Sequence, residues 1–536
     1  MSWNTEQIIT QMHDFFTLPD AGWSFVTIPF MVAFLVFYFF HIFISRSRRW
    51  LMMTYVTAFS LFFAYKANGV LMLLLPATVI TSWLLTRQME RTRTRWKRRA
   101  WLTVIILTDL APLVYYKYTN FFIDIWNELM RDNFAPLSLL LPVGISFYTF
   151  QAISYSVDAY RKTTSDRLRG EESHPQSSPW ERDGEGFASP SLLEYTFFLT
   201  FFPLLMAGPI TRAGTLIPQL RHRRGKSAAE KERWRTLVNT GLWLIIVGLM
   251  KKMVIADYLA QYNNWIFDDP MSFSGFENMM GIIGYTLQIY CDFSGYSDLS
   301  IGLAALMGIR LKDNFRFPYQ STSLTEFWHR WHISLSTWFR DYLYIPLGGS
   351  RHGTFLTCLN LIAVMLVAGL WHGASWMFLI WGSIHGVGLV ANKLFRRLKP
   401  SSSPPKVNAA ESVSPPRGIR GGLRLLSWLL TFLYVAAAWV FFRSTSVDMA
   451  VTILTHAVTD FNPDYILPFV ATRPIWSALL LAGFLLHALR ERHVERLKLA
   501  FIRSPWTLKL IVFAVIMQLV INFSQNNVQP FIYAQF

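Results

Sequence analysis

The segment EFWHRWHISLSTWFRDYLYIPLGGSR, from Glu326 to Arg351, lies between long apolar stretches of the chain. The stretch that follows it, Leu359–Val390, carries the tetrapeptide LWHG at 370–373. Histidine is the side chain whose ordinary pKa lies nearest to neutral pH. Three of the twelve histidines fall in these two places: His329, His332 and His372. We expect them to line, or to lie beside, a reaction centre inside a membrane.

The composition of the chain is that of a membrane protein. Of its 536 residues, 52% are hydrophobic and 16% are aromatic, and the mean hydropathy is positive. Apolar runs of about twenty residues recur, which is the length that a helix needs to cross the hydrocarbon core. The sequence therefore predicts an all-α, polytopic membrane helix bundle, with re-entrant or broken helices where proline and glycine interrupt the apolar runs.

The net charge of +17 reflects membrane orientation, and we expect no nucleic-acid partner. Lysine and arginine cluster between the apolar runs, as they do in cytoplasmic loops. The first apolar run, Phe25–Ile44, has acidic residues before it and arginines just after it. We therefore expect the N-terminus outside and residue 46 in the cytoplasm. Further runs that we interpret as spans are Leu51–Tyr65, Val70–Leu85, Trp101–Phe122, Leu139–Val157, Thr236–Val254, Leu425–Phe442, Ile475–Leu489 and Leu508–Phe523.

One apolar stretch, Leu192–Ile210, is interrupted by Pro203 and by Gly208-Pro209, and basic residues follow it. We expect it to re-enter the membrane and return, because a full crossing would place the basic residues outside. Two polar segments, 162–190 and 400–420, are rich in serine and proline, and we expect both to be flexible cytoplasmic loops. We expect residues 1–536 as a whole to form a single integral membrane domain.

The course of the chain through its middle part has two interpretations. Gly281–Gly308 is either a broken span back to the cytoplasm or a segment that re-enters from outside. In the first case Leu359–Val390 is a hairpin that turns near His372, and in the second it is one long span. Both alternatives leave 393–424 in the cytoplasm, so the distribution of charge does not choose between them.

The histidines of the central segment allow several kinds of site. On a helix, His329 and His332 would share a face, and the tryptophans around them fit an amphipathic helix at the membrane interface. That interpretation does not explain His372, which lies between apolar runs. An ionisable group at membrane depth is costly and is therefore a functional candidate. All three histidines could bind zinc, but the glutamate of H-E-x-x-H is missing, and we expect no metal. We interpret His385 as a packing residue.

Other catalytic signatures are missing from the sequence, which has no G-x-S-x-G elbow, no Walker-type loop and no Rossmann fingerprint. The remaining enzymatic hypothesis is a histidine that acts as a general base and assists the attack of a hydroxyl on an activated acyl donor. Two alternatives of other classes stay open. One is a polysaccharide or lipid-linked sugar exporter whose histidines relay protons, and the other is a structural subunit of a secretion complex.

Several segments of the chain together resemble one family. They are LPVGISFYTFQAISYSVDAYR (Leu141–Arg161), FFPLLMAGPITR (Phe201–Arg212), YCDFSGYSDLSIGLA (Tyr290–Ala304), NFRFPYQSTSLTEFWHRWHISLSTWFRDYLYIPLGGSR (Asn314–Arg351) and LWHGASW (Leu370–Trp376). The chain resembles the membrane-bound O-acyltransferases, and within them the bacterial alginate O-acetylase branch, which has these segments in the same order. The resemblance lies within residues 141–390.

The resemblance implies a multi-helix bundle with a tunnel through the bilayer. It implies catalytic roles for His332 of the RWH motif and for His372 of the LWHG motif, of which the second is shared across the superfamily. The family usually has arginine at the position of His329, so no role is carried over to that residue. No cofactor-binding residue is implied.

The resemblance also implies a function. In the alginate branch the membrane protein takes acetyl groups from a cytoplasmic donor, acetyl-CoA, and passes them across the bacterial inner membrane to periplasmic polysaccharide acetyltransferases. We therefore expect a multi-pass O-acetyltransferase of the inner membrane, surrounded by lipid and without a bound cofactor, that acts indirectly on an exopolysaccharide. Alginate is the first candidate, and cellulose and other polymers stay open. We expect the helices to be broken around Gly208-Pro209 and Gly295, and we expect these broken segments to line a pore that reaches His372.

Overall fold

The computed structural model describes residues 22–169, 189–206, 208–221, 227–398 and 417–523. Within these ranges the regular elements are helices and turns, without a strand, so the predicted all-α fold is confirmed. The first residues of one predicted loop, 162–169, continue a helix. Most of the two predicted loops, 170–188 and 399–416, lies outside the described residues.

In the part of the chain that the structure describes, six helical runs are long and apolar enough to cross a bilayer. They are Arg49–Arg91, Arg95–Met130, Gly353–His372, Trp376–Phe395, Gly421–Arg443 and Trp506–Phe523. A seventh crossing results if Pro463–Thr472 and Pro474–Ala488, which are bent by 103° at their junction, form one broken span. The protein is therefore a multi-pass membrane protein.

The chain divides into two compact units, of which the first contains described residues of 22–249, 296–312 and 501–509. Its helices are α1 (Ile28–Ile44), α2 (Arg49–Asn68), α3 (Leu74–Arg91), α4 (Arg95–Met130), α5 (Ile145–Arg169), α6 (Leu192–Thr200), α7 (Phe202–Leu205), α8 (Ala213–Arg221) and α9 (Ala228–Leu249). α2 ends where the sequence indicated a connection, because Gly69 has a φ of +57°, a conformation that suits glycine.

The break predicted within 192–210 is present in the first unit. α6 ends at Thr200 and α7 begins at Phe202, directly before Pro203. The amide of Phe202 donates a hydrogen bond to Ser60 Oγ at 3.1 Å, which satisfies a backbone group that the break would otherwise leave unpaired. The Phe202 ring is fully buried in a cluster of aromatic side chains. That the segment re-enters the membrane stays a prediction.

The second unit contains described residues of 250–295, 313–500 and 510–523. It begins with a π-helical turn, Met250–Ala256. Its further helices are α10 (Asp257–Asp268), α12 (Leu324–Arg330), α13 (Ile333–Phe339), α14 (Gly353–His372), α15 (Trp376–Leu398), α16 (Arg417–Arg443), α17 (Val447–Thr459), α18 (Ile466–Thr472) and α19 (Pro474–Ala488). Three helices contain residues of both units: α11 (Gly275–Leu306), α20 (Glu491–Arg503) and α21 (Trp506–Phe523).

The stretch 359–390 forms a helical hairpin. α14 ends at His372 and α15 begins at Trp376, and each helix is long and apolar enough to cross a bilayer by itself. The two helices pack so closely that a Cβ atom on Gly369 or on Gly382 would collide with a backbone carbonyl of the facing helix. Of the two alternatives that the sequence left open, the structure has the hairpin that turns near His372.

The break expected at Gly295 does not occur, since α11 runs without interruption from Gly275 to Leu306. A glycine inside a helix costs only about 1 kcal/mol relative to alanine. Neighbouring side chains of α11, among them Leu287 and Phe293, are fully buried, and each such side chain makes many van der Waals contacts whose sum is large. Packing therefore outweighs the local preference of glycine, and the prediction of a broken helix at this position is wrong.

Candidate active site

A break between two short helices places His332. α12 is capped at its start by Ser323, whose side chain accepts a hydrogen bond from the Glu326 amide. The helix ends at Arg330, and His332 has left-handed backbone angles, φ +40° and ψ +55°. The expected common helical face of His329 and His332 is therefore wrong, because the turn at 331–332 sends the two imidazoles in different directions.

Left-handed angles at a histidine are strained and persist only where the surroundings enforce them. Two backbone hydrogen bonds do so here. The Ile333 amide donates to the carbonyl of Asn314 at 2.9 Å, and the Arg316 amide donates to the carbonyl of Arg330 at 2.9 Å. The segment that begins at Asn314 thus fixes the turn, and strain of this kind is common at functional positions.

The hydrogen bonds of His332 select one tautomer. Asn314 Oδ1 accepts from the Ser334 amide at 3.2 Å and from the Ser334 hydroxyl at 2.8 Å, so this atom is an acceptor. The His332 Nδ1, 3.1 Å away, must then carry the hydrogen and donate it to Asn314. The Nε2 atom is left with its lone pair. It is buried and has no hydrogen-bond partner among the described residues.

The His332 imidazole is held neutral by its surroundings. It is completely buried, and the Phe293 ring stands edge-on to it with 4.6 Å between the ring centroids. His332 lies outside the six helical runs that could cross the membrane. Burial lowers the pKa of His332 well below its usual range, since an apolar environment disfavours the charged form. The ring is therefore neutral, and its Nε2 atom presents a lone pair that can accept a hydrogen bond.

His372 is the last residue of α14, and the structure places it beside the same indole that His332 contacts. The His372 ring lies 5.0 Å from the Trp371 ring, 5.0 Å from the Trp381 ring and 5.3 Å from the Phe442 ring, between centroids. The His332 ring lies 5.9 Å from the Trp371 ring. The two histidines singled out from the sequence therefore share one buried aromatic cluster.

His329 lies outside the aromatic cluster that contains His332 and His372. Its side chain is exposed and lines a cavity of about 680 Å³. Other residues of the cavity wall are Glu326 on α12, Asn392 on α15, and Arg424 and Ser427 on α16. Across the described ranges, no group of three His, Cys, Asp or Glu side chains is arranged to hold a metal ion. The three-histidine zinc site considered from the sequence is therefore not assembled there.

The sequence profile of the membrane-bound O-acyltransferase (MBOAT) family matches residues 132–408. The matched range contains His332, His372, the hairpin between them and the segment that begins at Asn314. The chain belongs to the membrane-bound O-acyltransferase family.

Several characterised or named proteins are similar to this O-acyltransferase. "Peptidoglycan O-acetyltransferase" of Helicobacter pylori is 33% identical over 403 residues, which are 74% of this chain and 72% of the relative. "Probable alginate O-acetylase AlgI" of Azotobacter vinelandii is 38% identical over 402 residues, 74% of this chain and 70% of the relative. "Teichoic acid D-alanyltransferase" of Bacillus subtilis is 25% identical over 303 residues, 54% of this chain and 68% of the relative. The protein is accordingly an O-acyltransferase.

Sequence reasoning missed the role of Asn314 in this O-acyltransferase. The residue precedes His332 by eighteen positions, and only the fold shows that its oxygen sets the tautomer. The available signal was its place at the start of the NFRFPYQ segment, four residues before the proline that begins a turn. A polar residue in such a position is usually read as a loop residue, so the pattern alone would not have identified it.

A buried group of charges adjoins the candidate active site of the O-acyltransferase and was also missed. Lys252 Nζ lies 2.5 Å from Asp292 Oδ1 and 2.8 Å from Asp257 Oδ1. Lys252 and Asp292 are almost completely buried. Asp292 directly precedes Phe293, whose ring packs on His332. Lys252 lies in the π-helical turn Met250–Ala256, a rare element that is frequent at functional sites.

Proposed function

We propose that this O-acyltransferase is the membrane component of exopolysaccharide O-acetylation. It takes acetyl groups from acetyl-CoA in the cytoplasm and passes them across the inner membrane to periplasmic acetyltransferases. The observation that carries the proposal is the pair of buried histidines on one indole, with the Nε2 lone pair of His332 left open. A structural subunit has no need of a buried histidine whose tautomer is fixed in this way.

The chemistry follows from the protonation state of His332. An acceptor hydroxyl attacks the carbonyl carbon of the acetyl thioester, and Nε2 of His332 takes the hydroxyl proton as the new C–O bond forms. The C–S bond then breaks, and the proton passes to the sulfur, so that an acetyl ester and free CoA are the products. His372, which contacts the same Trp371 ring, holds the hydroxyl and the thioester in place. It also stabilises the charge that develops on the carbonyl oxygen during the attack.

The cavity that His329 lines is the proposed binding site for the outer part of the donor. It is lined by Asn392 of α15 and Arg424 of α16. In the sequence, Asn392 directly precedes and Arg424 ends the basic stretch 393–424 that the charge distribution assigns to the cytoplasm. Arginine suits the phosphate groups of CoA, because its guanidinium can donate two parallel hydrogen bonds to them. The cavity volume of about 680 Å³ lies in the range of small-molecule sites.

The polymer is proposed from the relatives. Those named as alginate O-acetylases are 38% and 39% identical to this chain in Azotobacter vinelandii and Pseudomonas aeruginosa, so alginate is the first candidate. Peptidoglycan is a second candidate, because the Helicobacter pylori relative with that name is 33% identical over a similar length. Both polymers offer sugar hydroxyls as final acceptors, which is the chemistry that the site requires.

A deletion strain tests the function. The strain is complemented with the wild-type protein or with His372→Ala, and acetyl esters are measured separately on the secreted polysaccharide and on the peptidoglycan. We expect esters on the secreted polysaccharide to disappear on deletion, to return with the wild type, and to stay missing with His372→Ala at equal membrane abundance. A loss confined to peptidoglycan would select the second candidate, and unchanged esters on both polymers would refute the proposal.

A further inference from the structure

A third buried histidine lies close to His372 and has no evident structural purpose. His385 is on α15, and its side chain is completely buried. Within the ranges that the structure describes, neither of its ring nitrogens has a hydrogen-bond partner. Buried polar groups are almost always hydrogen-bonded, so a packing role alone leaves this imidazole unexplained. Phenylalanine or leucine would fill the same space without that penalty.

The neighbours of His385 share its lack of partners. Its ring lies 4.9 Å from Trp381, one turn earlier on α15, and 5.1 Å from Trp328 of α12, between centroids. The two indole N–H groups are also buried, and the described part of the chain supplies no acceptor for either. An indole N–H can only donate a hydrogen bond. Three adjacent side chains therefore carry hydrogen-bond donors for which the described part of the chain supplies no acceptor.

The position of this cluster connects the cavity with the active site. On one side, Trp381 contacts His372 at 5.0 Å between ring centroids. On the other side, Trp328 lies on α12 next to His329, which lines the cavity. Asn392, which also lines the cavity, is seven residues after His385 and hence on the same face of α15. Ring contacts thus run from the wall of the cavity through Trp328, His385 and Trp381 to His372.

We propose that Trp328, Trp381 and His385 form a binding site, located between the cavity and His372, for the carbonyl oxygens of the acyl donor. The inference rests on the proposed function, because it takes acetyl-CoA as that donor. The pantetheine arm of CoA carries two amide carbonyls, and the thioester adds a third. Each oxygen accepts hydrogen bonds, which is what the cluster lacks. The aromatic faces suit the methylene groups between the carbonyls.

Binding of tritiated acetyl-CoA to the full-length protein in lipid nanodiscs tests this site. His385→Phe keeps an aromatic ring at this position and removes both ring nitrogens. A second variant carries benzothienylalanine at Trp381, which replaces the indole N–H by sulfur and keeps the shape. The matched control is His352→Phe, because His352 is exposed and outside the cluster. We expect the Kd to rise about tenfold in His385→Phe and about fivefold in the Trp381 variant, as for the loss of one or two neutral hydrogen bonds.

The outcomes separate this inference from the proposed function. Weaker binding in both cluster variants, with an unchanged control, supports the site. Wild-type affinity in both cluster variants would overturn the inference and leave the rings as packing, with their N–H groups directed at neighbouring π faces. Failure of the wild-type protein to bind acetyl-CoA would overturn the proposed donor and this site together. A His385→Phe protein that does not fold is replaced by the Trp381 variant, whose shape is native.

Discussion

The left-handed turn at His332 is the local feature on which the proposed reaction depends. It separates α12 from α13, directs the imidazole into the aromatic cluster and brings Nδ1 to Asn314 Oδ1. A histidine in a regular helix would keep neither the orientation nor the tautomer. Because the neutral tautomer with an open Nε2 is the form that takes a proton, the backbone strain serves the chemistry.

Asn314 is expected to act as a positioning residue. Asn314→Ala removes the acceptor that holds the His332 Nδ1–H, so both tautomers become populated and the ring becomes free to turn. We expect acetyl transfer to fall by one to two orders of magnitude, roughly as for the loss of comparable partners of catalytic histidines. The measurement is the rate of transfer from acetyl-CoA at equal membrane abundance, over a range of acetyl-CoA concentrations.

A matched variant distinguishes positioning from mere stability. Asn314→Asp keeps an acceptor at the same place, so we expect it to recover much of the rate that Asn314→Ala loses. Both variants should affect kcat more than KM, because neither touches the cavity. A normal kcat in Asn314→Ala would show that the hydrogen bond does not control the tautomer.

At the residue scale, the sequence singled out His332 and His372 as candidates but did not identify the residues that surround them. Ionisable side chains among apolar residues stand out in the sequence, because their burial is costly. Asn314 and the indoles around His385 do not stand out, since asparagine and tryptophan are common in loops and at membrane interfaces. Their roles depend on long-range contacts, which the fold creates and no local pattern encodes.

Among the elements, the α14–α15 hairpin determines where His372 lies. The glycines Gly369 and Gly382 let the two helices approach until backbone contacts backbone. The turn between the helices then follows His372 immediately. The sequence could not decide between this hairpin and one long span, because both alternatives place the same flanking charges in the cytoplasm. The choice is made by the close packing that the glycines permit.

Side chains at the hairpin glycines should separate the helices. Gly369→Val and Gly382→Val each place atoms where the facing backbone lies, and overpacking of this kind costs about 1–3 kcal/mol or more. We expect a lower melting temperature in detergent and less protein in the membrane. Gly421→Val is the control, because nothing lies within 4 Å of a Cβ at that position. Equal melting temperatures for all three variants would refute the close packing.

The π-helical turn that carries Lys252 should be intolerant of a neutral side chain. Lys252→Met leaves the carboxylates of Asp257 and Asp292 facing each other without their cation. Removal of one partner from a buried ion pair costs about 3–5 kcal/mol. We expect the variant to be degraded or to melt at a lower temperature, and Lys252→Met with Asp292→Asn to recover part of the loss. A Lys252→Met protein of wild-type stability would show that the ion pairs are dispensable.

For the molecule as a whole, the distribution of lysine and arginine predicts the orientation in the membrane. Residues 87–99, 162–190, 221–235 and 400–420 should all face the cytoplasm. The structure identifies helices that are able to cross the bilayer, and the charges predict which of their ends face the cytoplasm. Sequence thus predicts the class of protein and its orientation, whereas the number of crossings depends on how broken helices are paired.

Cysteine labelling tests this orientation. Cys291 and Cys358 are replaced, and a single cysteine is introduced at position 228, at the start of α9. We expect an impermeant thiol reagent to leave this cysteine unlabelled in intact cells and to label it after the cells are opened. A cysteine at position 95 serves as a control on the same side. Labelling of position 228 in intact cells would show that 192–210 crosses the membrane and does not re-enter.

Transfer of labelled acetyl groups in sealed membrane vesicles tests the role of the two histidines most directly. Vesicles with the cytoplasmic face outward receive radiolabelled acetyl-CoA, and ester-linked label is measured for the wild type, His332→Ala and His372→Ala at equal abundance. We expect the wild type to transfer label and each variant to lose at least about a hundredfold in rate, which is the lower end for a general base and for a group that stabilises the developing charge. Transfer at the wild-type rate by a well-inserted His372→Ala or His332→Ala protein would contradict the assignment of the active site.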